Sequence, residues 1–117
     1  MGIFSKLRDD YVVWHANRIT IPPFAPSTVV RKNLIFSGRV QMVGFRLELY
    51  SIAQRLELTG WVKNLEDGRV EAEIQGEDMK ISFLIACMES LKRAAVKNVQ
   101  VRERTIVEED IDFTIVK

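Results

Sequence analysis

The strongest constraint on this chain is its hydrophobic period, which switches several times between the spacing of a strand and that of a helix. Residues 32 to 40, Lys-Asn-Leu-Ile-Phe-Ser-Gly-Arg-Val, read as a strand running into a glycine-containing loop. Phe45, Leu49, Ile52, Ala53 and Leu56 then recur at i, i+4, i+7, i+8 and i+11, one apolar helix face, with Glu48, Arg55 and Glu57 turned away from it. Gly60 precedes a second strand opening at Trp61-Val62, and Asp67-Gly68 is a hairpin signal. The third strand alternates cleanly, Val70, Ala72 and Ile74 against Glu71, Glu73 and Gln75. Gly76 ends it. Ile81, Leu84, Ile85, Met88, Leu91 and Ala95 form a second helical stripe, Val99 and Val101 begin a fourth strand, and Ile111, Phe113 and Ile115 alternate in a short final one.

The order β-α-β-β-α-β with a terminal strand predicts an α+β fold of the ferredoxin-like kind, an antiparallel sheet with two helices packed on one face. Residues 1–31 differ. Ile3, Phe4, Leu7, Tyr11 and Trp14 share one side of a helical wheel, and Pro22, Pro23 and Pro26 then forbid a regular helix. The division expected is therefore an N-terminal extension over 1–31, an amphipathic helix with a proline-rich connector, and a compact domain over 32–117. The domain's apolar faces look complete without the extension. Removing residues 1 to 28 is thus expected to leave folding and catalysis intact, with the extension a candidate surface for self-association.

Composition excludes several function classes. At 117 residues with 47% apolar and 28% charged residues, the chain has the balance of one globular domain. A net charge of +1 offers no case for nucleic acid or an acidic membrane surface. His15 is the only histidine and Cys87 the only cysteine, so no His/Cys metal cluster or internal disulfide can be built. No apolar run is long enough to span a bilayer, and charges at Lys6, Arg8, Asp9 and Asp10 interrupt any signal-peptide core. A cytoplasmic domain fits these facts, and nothing in the composition calls for a cofactor.

Two segments carry chemistry. Gly38-Arg39-Val40-Gln41-Met42-Val43-Gly44-Phe45-Arg46 joins a strand to a helix. Glycines there permit positive φ, successive amides can curl around an anion, and Arg46 in the first helical turn adds a planar fork of donors. The same residues also fit a plain tight connection with a solvated arginine. Asn64 ends a strand just before the hairpin, where its side-chain amide can both accept from and donate to water; a turn asparagine is the plainer alternative.

Taken together, Gly-x-Val-Gln-x-Val-x-Phe-Arg and Gly-Trp-Val-Lys-Asn-x-x-x-Gly-x-Val, with Gly76 beyond, resemble the two signatures of the acylphosphatase family. The resemblance runs from about residue 32 to 117. It implies hydrolysis of carboxyl–phosphate anhydrides to carboxylate and inorganic phosphate, independent of metal. It also implies a phosphate loop of backbone amides over Gln41, Met42, Val43, Gly44, Phe45 and Arg46, with the Arg46 side chain as phosphate ligand and Asn64 orienting the water. The substrate class is a small acyl phosphate. Two positions depart from the family pattern: Met42 stands where a glycine is usual, and Lys117 where an aromatic residue is. The alternative is a phosphate- or anion-binding module of the same fold whose turnover is weakened by Met42. An RNA-binding domain shares the strand–helix order, but the acidic outer face of the third strand opposes base stacking.

Overall fold

The computed structural model describes residues 3–117. Helix α1 (Ile3–Arg18) is followed by β1 (Val29–Arg39), α2 (Phe45–Arg55), β2 (Thr59–Asn64), β3 (Val70–Glu77), α3 (Asp78–Glu89), β4 (Ala95–Arg104) and β5 (Phe113–Val116). The sheet order is β4-β1-β3-β2-β5. Strand β1 pairs antiparallel with β3 and β4, and β2 pairs antiparallel with β3. The terminal strand β5 runs parallel to β2, so the five-stranded sheet is mixed.

One face of the sheet and both following helices make the core. Leu34, Phe36, Val62, Val70, Ala72 and Ile74 from the strands meet Leu49, Ile52 and Ala53 of α2 and Ile81, Leu84 and Met88 of α3, all buried. The period-2 pattern of β3 thus sends its apolar set toward the helices. The opposite face is polar and bonded to itself. Arg31, only 5% exposed, donates to Glu73 at 2.7 Å, Gln75 at 3.2 Å and Asp110 at 2.7 Å. Helix α3 is shorter than its stripe suggests. It stops at Glu89, and Ala95 opens β4 on a different element, because a turn over 91–94 intervenes.

The N-terminal segment departs from its expected separateness. Strand β1 begins at Val29, inside the expected extension, because Val29 to Arg31 pair with Gln75 to Glu77. Of the stripe expected to bury α1, the Phe4 side chain lies outside the described residues, and Ile3, Leu7, Tyr11 and Trp14 are exposed. The helix instead packs through Val12 and Ala16, both fully buried, against α2. Its C-terminal carbonyls at Ala16, and the carbonyl of Ile19 just beyond, accept bonds from Arg55 Nη1, each at 2.7 Å. The connector packs Ile19, Ile21 and Phe24 on the core, and Ser27 ties it to the start of α3 through Met79 N–H. Glu48, expected on the solvent side of α2, is fully buried. It accepts from Arg93 Nη2 at 2.6 Å and lies 2.8 Å from His15 Nδ1. A polar helix face reads as solvated only while no partner helix is known, and α1 is that partner.

Candidate active site

The loop between β1 and α2 closes on Gly44, whose φ of 74° is left-handed and which caps α2 with no side-chain bond. A side chain at this position would be doubly opposed. The backbone favours glycine, and an added Cβ would lie 2.5 Å from Val12 Cγ2. With no side chain to occupy them, the first amides of α2 are left without a capping acceptor at the positive end of the helix dipole. Among the described residues, no protein acceptor takes a bond from the amides of Met42 to Arg46. Phe45 roots the turn in the core, buried and packed edge-on against Phe36 at 5.1 Å.

The Gln41 side chain ties this loop to the hairpin that follows Asn64. Its Nε2 donates to the carbonyls of Leu65 at 2.8 Å and Arg69 at 3.0 Å. The hairpin has its own bonds, Leu65 N–H to Arg69 O at 2.8 Å and Arg69 N–H to Asp67 Oδ1 at 3.1 Å. The latter bond, with the nearby Arg69 side chain, holds the Asp67 carboxyl below its usual range. Asn64 at the end of β2 is therefore held at a fixed place relative to the loop.

Gln41, Met42, Gly44, Phe45, Arg46 and Asn64 line one cavity of about 300 Å³. Val43 is not among its lining residues, and its carbonyl accepts a bond from Arg93 Nε at 2.7 Å. Among the described residues, neither the Arg46 nor the Asn64 side chain on this cavity has an ion pair or a side-chain hydrogen bond. Met42 sits at φ 63° and is 88% exposed. Beside Val40 and Leu47, which flank the loop residues in sequence, the lining includes Arg8 and Asp9 of α1 and Ile115 of β5, which were not anticipated. Nothing in local periodicity marks them, since they reach the cavity through tertiary packing. Cys87 is half-buried in α3, away from this cavity, and burial pushes its thiol pKa up, which suits a small apolar residue rather than a nucleophile. No described helix is long and apolar enough to cross a membrane.

Comparison with known proteins agrees with the fold. The acylphosphatase family model matches residues 32–115. An acylphosphatase of Marinobacter nauticus is 41% identical over 87 residues, which cover 74% of this chain and 95% of that protein. One of Methanospirillum hungatei is 39% identical over 87 residues, covering 73% and 94%. The crystal structure of acylphosphatase from Bacillus subtilis superposes with a TM-score of 0.71 at 32% identity, covering 77% of this chain and 100% of that one. A match over most of the chain, in both sequence and three-dimensional fold, means that the chain belongs to the acylphosphatase family and hydrolyses acyl phosphates.

Proposed function

We propose that the amides of Met42 to Arg46 and the Arg46 guanidinium bind the phosphoryl group of an acyl phosphate, and that Asn64 positions the attacking water. The observation that supports this most is convergence. Among the described residues, a cation without a protein partner, a curl of amides without protein acceptors, and an amide side chain meet at one cavity. Gln41 braces the two segments that supply them.

The chemistry asks for little else. Water attacks phosphorus while the bond from phosphorus to the acyl oxygen breaks, and the electron pair leaves with the carboxylate. A carboxylate is a good leaving group, so no strong general acid is required. The proton released by water passes to a phosphate oxygen of the substrate, which accounts for a site without a histidine base. What remains is to neutralise charge and to hold the water in line, and these are the tasks assigned to Arg46 with the amides and to Asn64. On this reading the cationic charge comes from the protein, and hydrolysis should persist in EDTA.

The two roles separate experimentally. Arg46→Ala should lower kcat on acetyl phosphate by a factor of about 10² or more and weaken inorganic phosphate as a competitive inhibitor. Asn64→Ala should lower kcat while leaving phosphate inhibition close to native. Near-native phosphate affinity in the Arg46 variant would sink its assignment. Equal losses of affinity and turnover in the Asn64 variant would make Asn64 a phosphate ligand instead.

A further inference from the structure

We propose that α1 forms a wall of the active site and that Arg8 is a specificity-determining residue, selecting acyl phosphates whose acyl portion carries a second negative charge. The inference rests on the reading of the site given above. Helix α1 lies outside the segment matched to the family, residues 32–115, so whatever it adds is an addition to the common reaction.

The helix is held against the phosphate loop at several points. Val12 Cγ2 occupies the space beside Gly44 that any other residue's Cβ would need. Glu48, one turn into α2, bonds Arg93 and His15 together, and Arg93 also bonds the Val43 carbonyl within the loop. Arg8 precedes Val12 by one helical turn and so projects from the same side of α1. That places Arg8 and Asp9 on the cavity that holds Arg46 and Asn64.

The remaining polar groups decide the ligand. The phosphoryl group engages Arg46 and the loop amides, and the water engages Asn64. Arg8 and Asp9 are then the charged groups left for the acyl end. Both bonds within their pair fall on one oxygen, Asp9 Oδ1, from Arg8 Nε at 3.2 Å and Nη2 at 3.1 Å. A guanidinium has five N–H donors, so most of the Arg8 fork stays available to an acceptor. A cationic acyl group would face Arg8 and Arg46 against a single Asp9. A carboxylate faces the favourable excess.

The test compares benzoyl phosphate with 4-carboxybenzoyl phosphate, two rigid substrates differing by one remote carboxylate. The native chain should show a higher kcat/KM for the carboxylated substrate, with the preference shrinking as salt rises. Arg8→Ala should lower the ratio of the two kcat/KM values about fivefold, mainly through KM, as expected for a half-exposed charge contact. Arg8→Lys should keep part of the preference and Arg8→Glu should reverse it. Asp9→Asn should raise it by removing the competing charge. Melting curves of each variant confirm that the fold is kept. A ratio that does not change with residue 8 overturns the proposal. So does an equal loss on both substrates, which would make Arg8 a phosphate ligand. A native chain that hydrolyses neither substrate would overturn the active-site reading and this inference together, an outcome distinct from hydrolysis that is indifferent to residue 8.

Discussion

Met42 is the residue at which sequence and backbone disagree most. Its φ of 63° lies in the left-handed region, where an L side chain costs on the order of 1 kcal/mol, and its side chain is 88% exposed and recovers little by packing. The unusual methionine, noticed as a departure from the family's glycine, thus has a physical cost that only the backbone angle reveals. Met42→Gly should relieve it, offset in part by the larger unfolded-state entropy of glycine, for a net gain of about 0.5 kcal/mol and a melting temperature higher by a few degrees. Turnover should be equal to native or higher, since the loop amides keep the same geometry with less strain. Glu57 provides a control. Among the described residues it is the other non-glycine residue at positive φ, 58°, and it lies just past the end of α2, where glycine is the favoured residue. Glu57→Gly should give a similar thermal gain with no change in turnover. If Met42→Gly is less stable and also less active, the strain argument is wrong. A changed preference between acetyl and benzoyl phosphate at constant stability would instead mean that Met42 contacts the acyl group.

At the scale of elements, α2 has two working faces and only one was legible. Phe45, Leu49, Ile52, Ala53 and Leu56 read as a core stripe and are all buried. Glu48 and Arg55 read as solvated, yet Glu48 bridges to His15 and Arg93, and Arg55 bonds the carbonyls of Ala16 and Ile19. Periodicity reports which side of a helix avoids water; it carries no information on which charges will meet. The same limit hid α1's docking face, where two small buried residues, Val12 and Ala16, do the packing and the larger apolar ones stay outside. We infer from this packing that α1 contributes to the stability of the domain, where independence was expected. Deleting residues 1 to 28 would leave Glu48 without His15 and uncover the apolar surface beside Gly44. The shortened chain should melt at least 5 °C lower, since losing a buried Val contact and a partner of a buried charge amounts to about 2 kcal/mol or more. Val12→Ala should reproduce part of that loss, about 1 to 2 kcal/mol in denaturant melts. A deleted chain with native melting temperature would show that the α1 contacts contribute nothing net.

Across the whole molecule, the sequence of elements along the chain and the helix placement were readable because the switches of period from 2 to 3.6 leave few topologies, and a short chain joins neighbouring elements directly. The parallel pairing of β5 with β2 was not readable. It depends on where the connection over 105–112 lies, and that segment is held by groups distant in sequence. Gln75 exchanges bonds with the Val107 backbone at 2.9 and 2.8 Å, and Arg31 reaches Asp110 at 2.7 Å. The same Arg31 pairs with Glu73, so one buried guanidinium joins β1, β3 and the lead-in to β5. This cluster makes stability depend on acid. Burial raises the Glu73 pKa, but the bonds from Arg31 and Asn33 outweigh it and hold the carboxyl below its ordinary value of 4.5. A carboxyl whose folded pKa is depressed adds stability that is fully present above the unfolded value. That stability is lost as pH falls through the folded one. Melting temperature should therefore be level with respect to this group from pH 7 down to about 5 and then decline. Glu73→Gln should be less stable at pH 7 by about 2 kcal/mol, because Arg31 loses a charged partner while remaining buried. The gap between variant and native chain should narrow as pH drops from about 5 toward 3, where the native carboxyl is itself protonated. Thermal melts of both chains over that range decide the matter: parallel curves with a constant gap would mean that the Arg31–Glu73 pair does not carry the acid dependence.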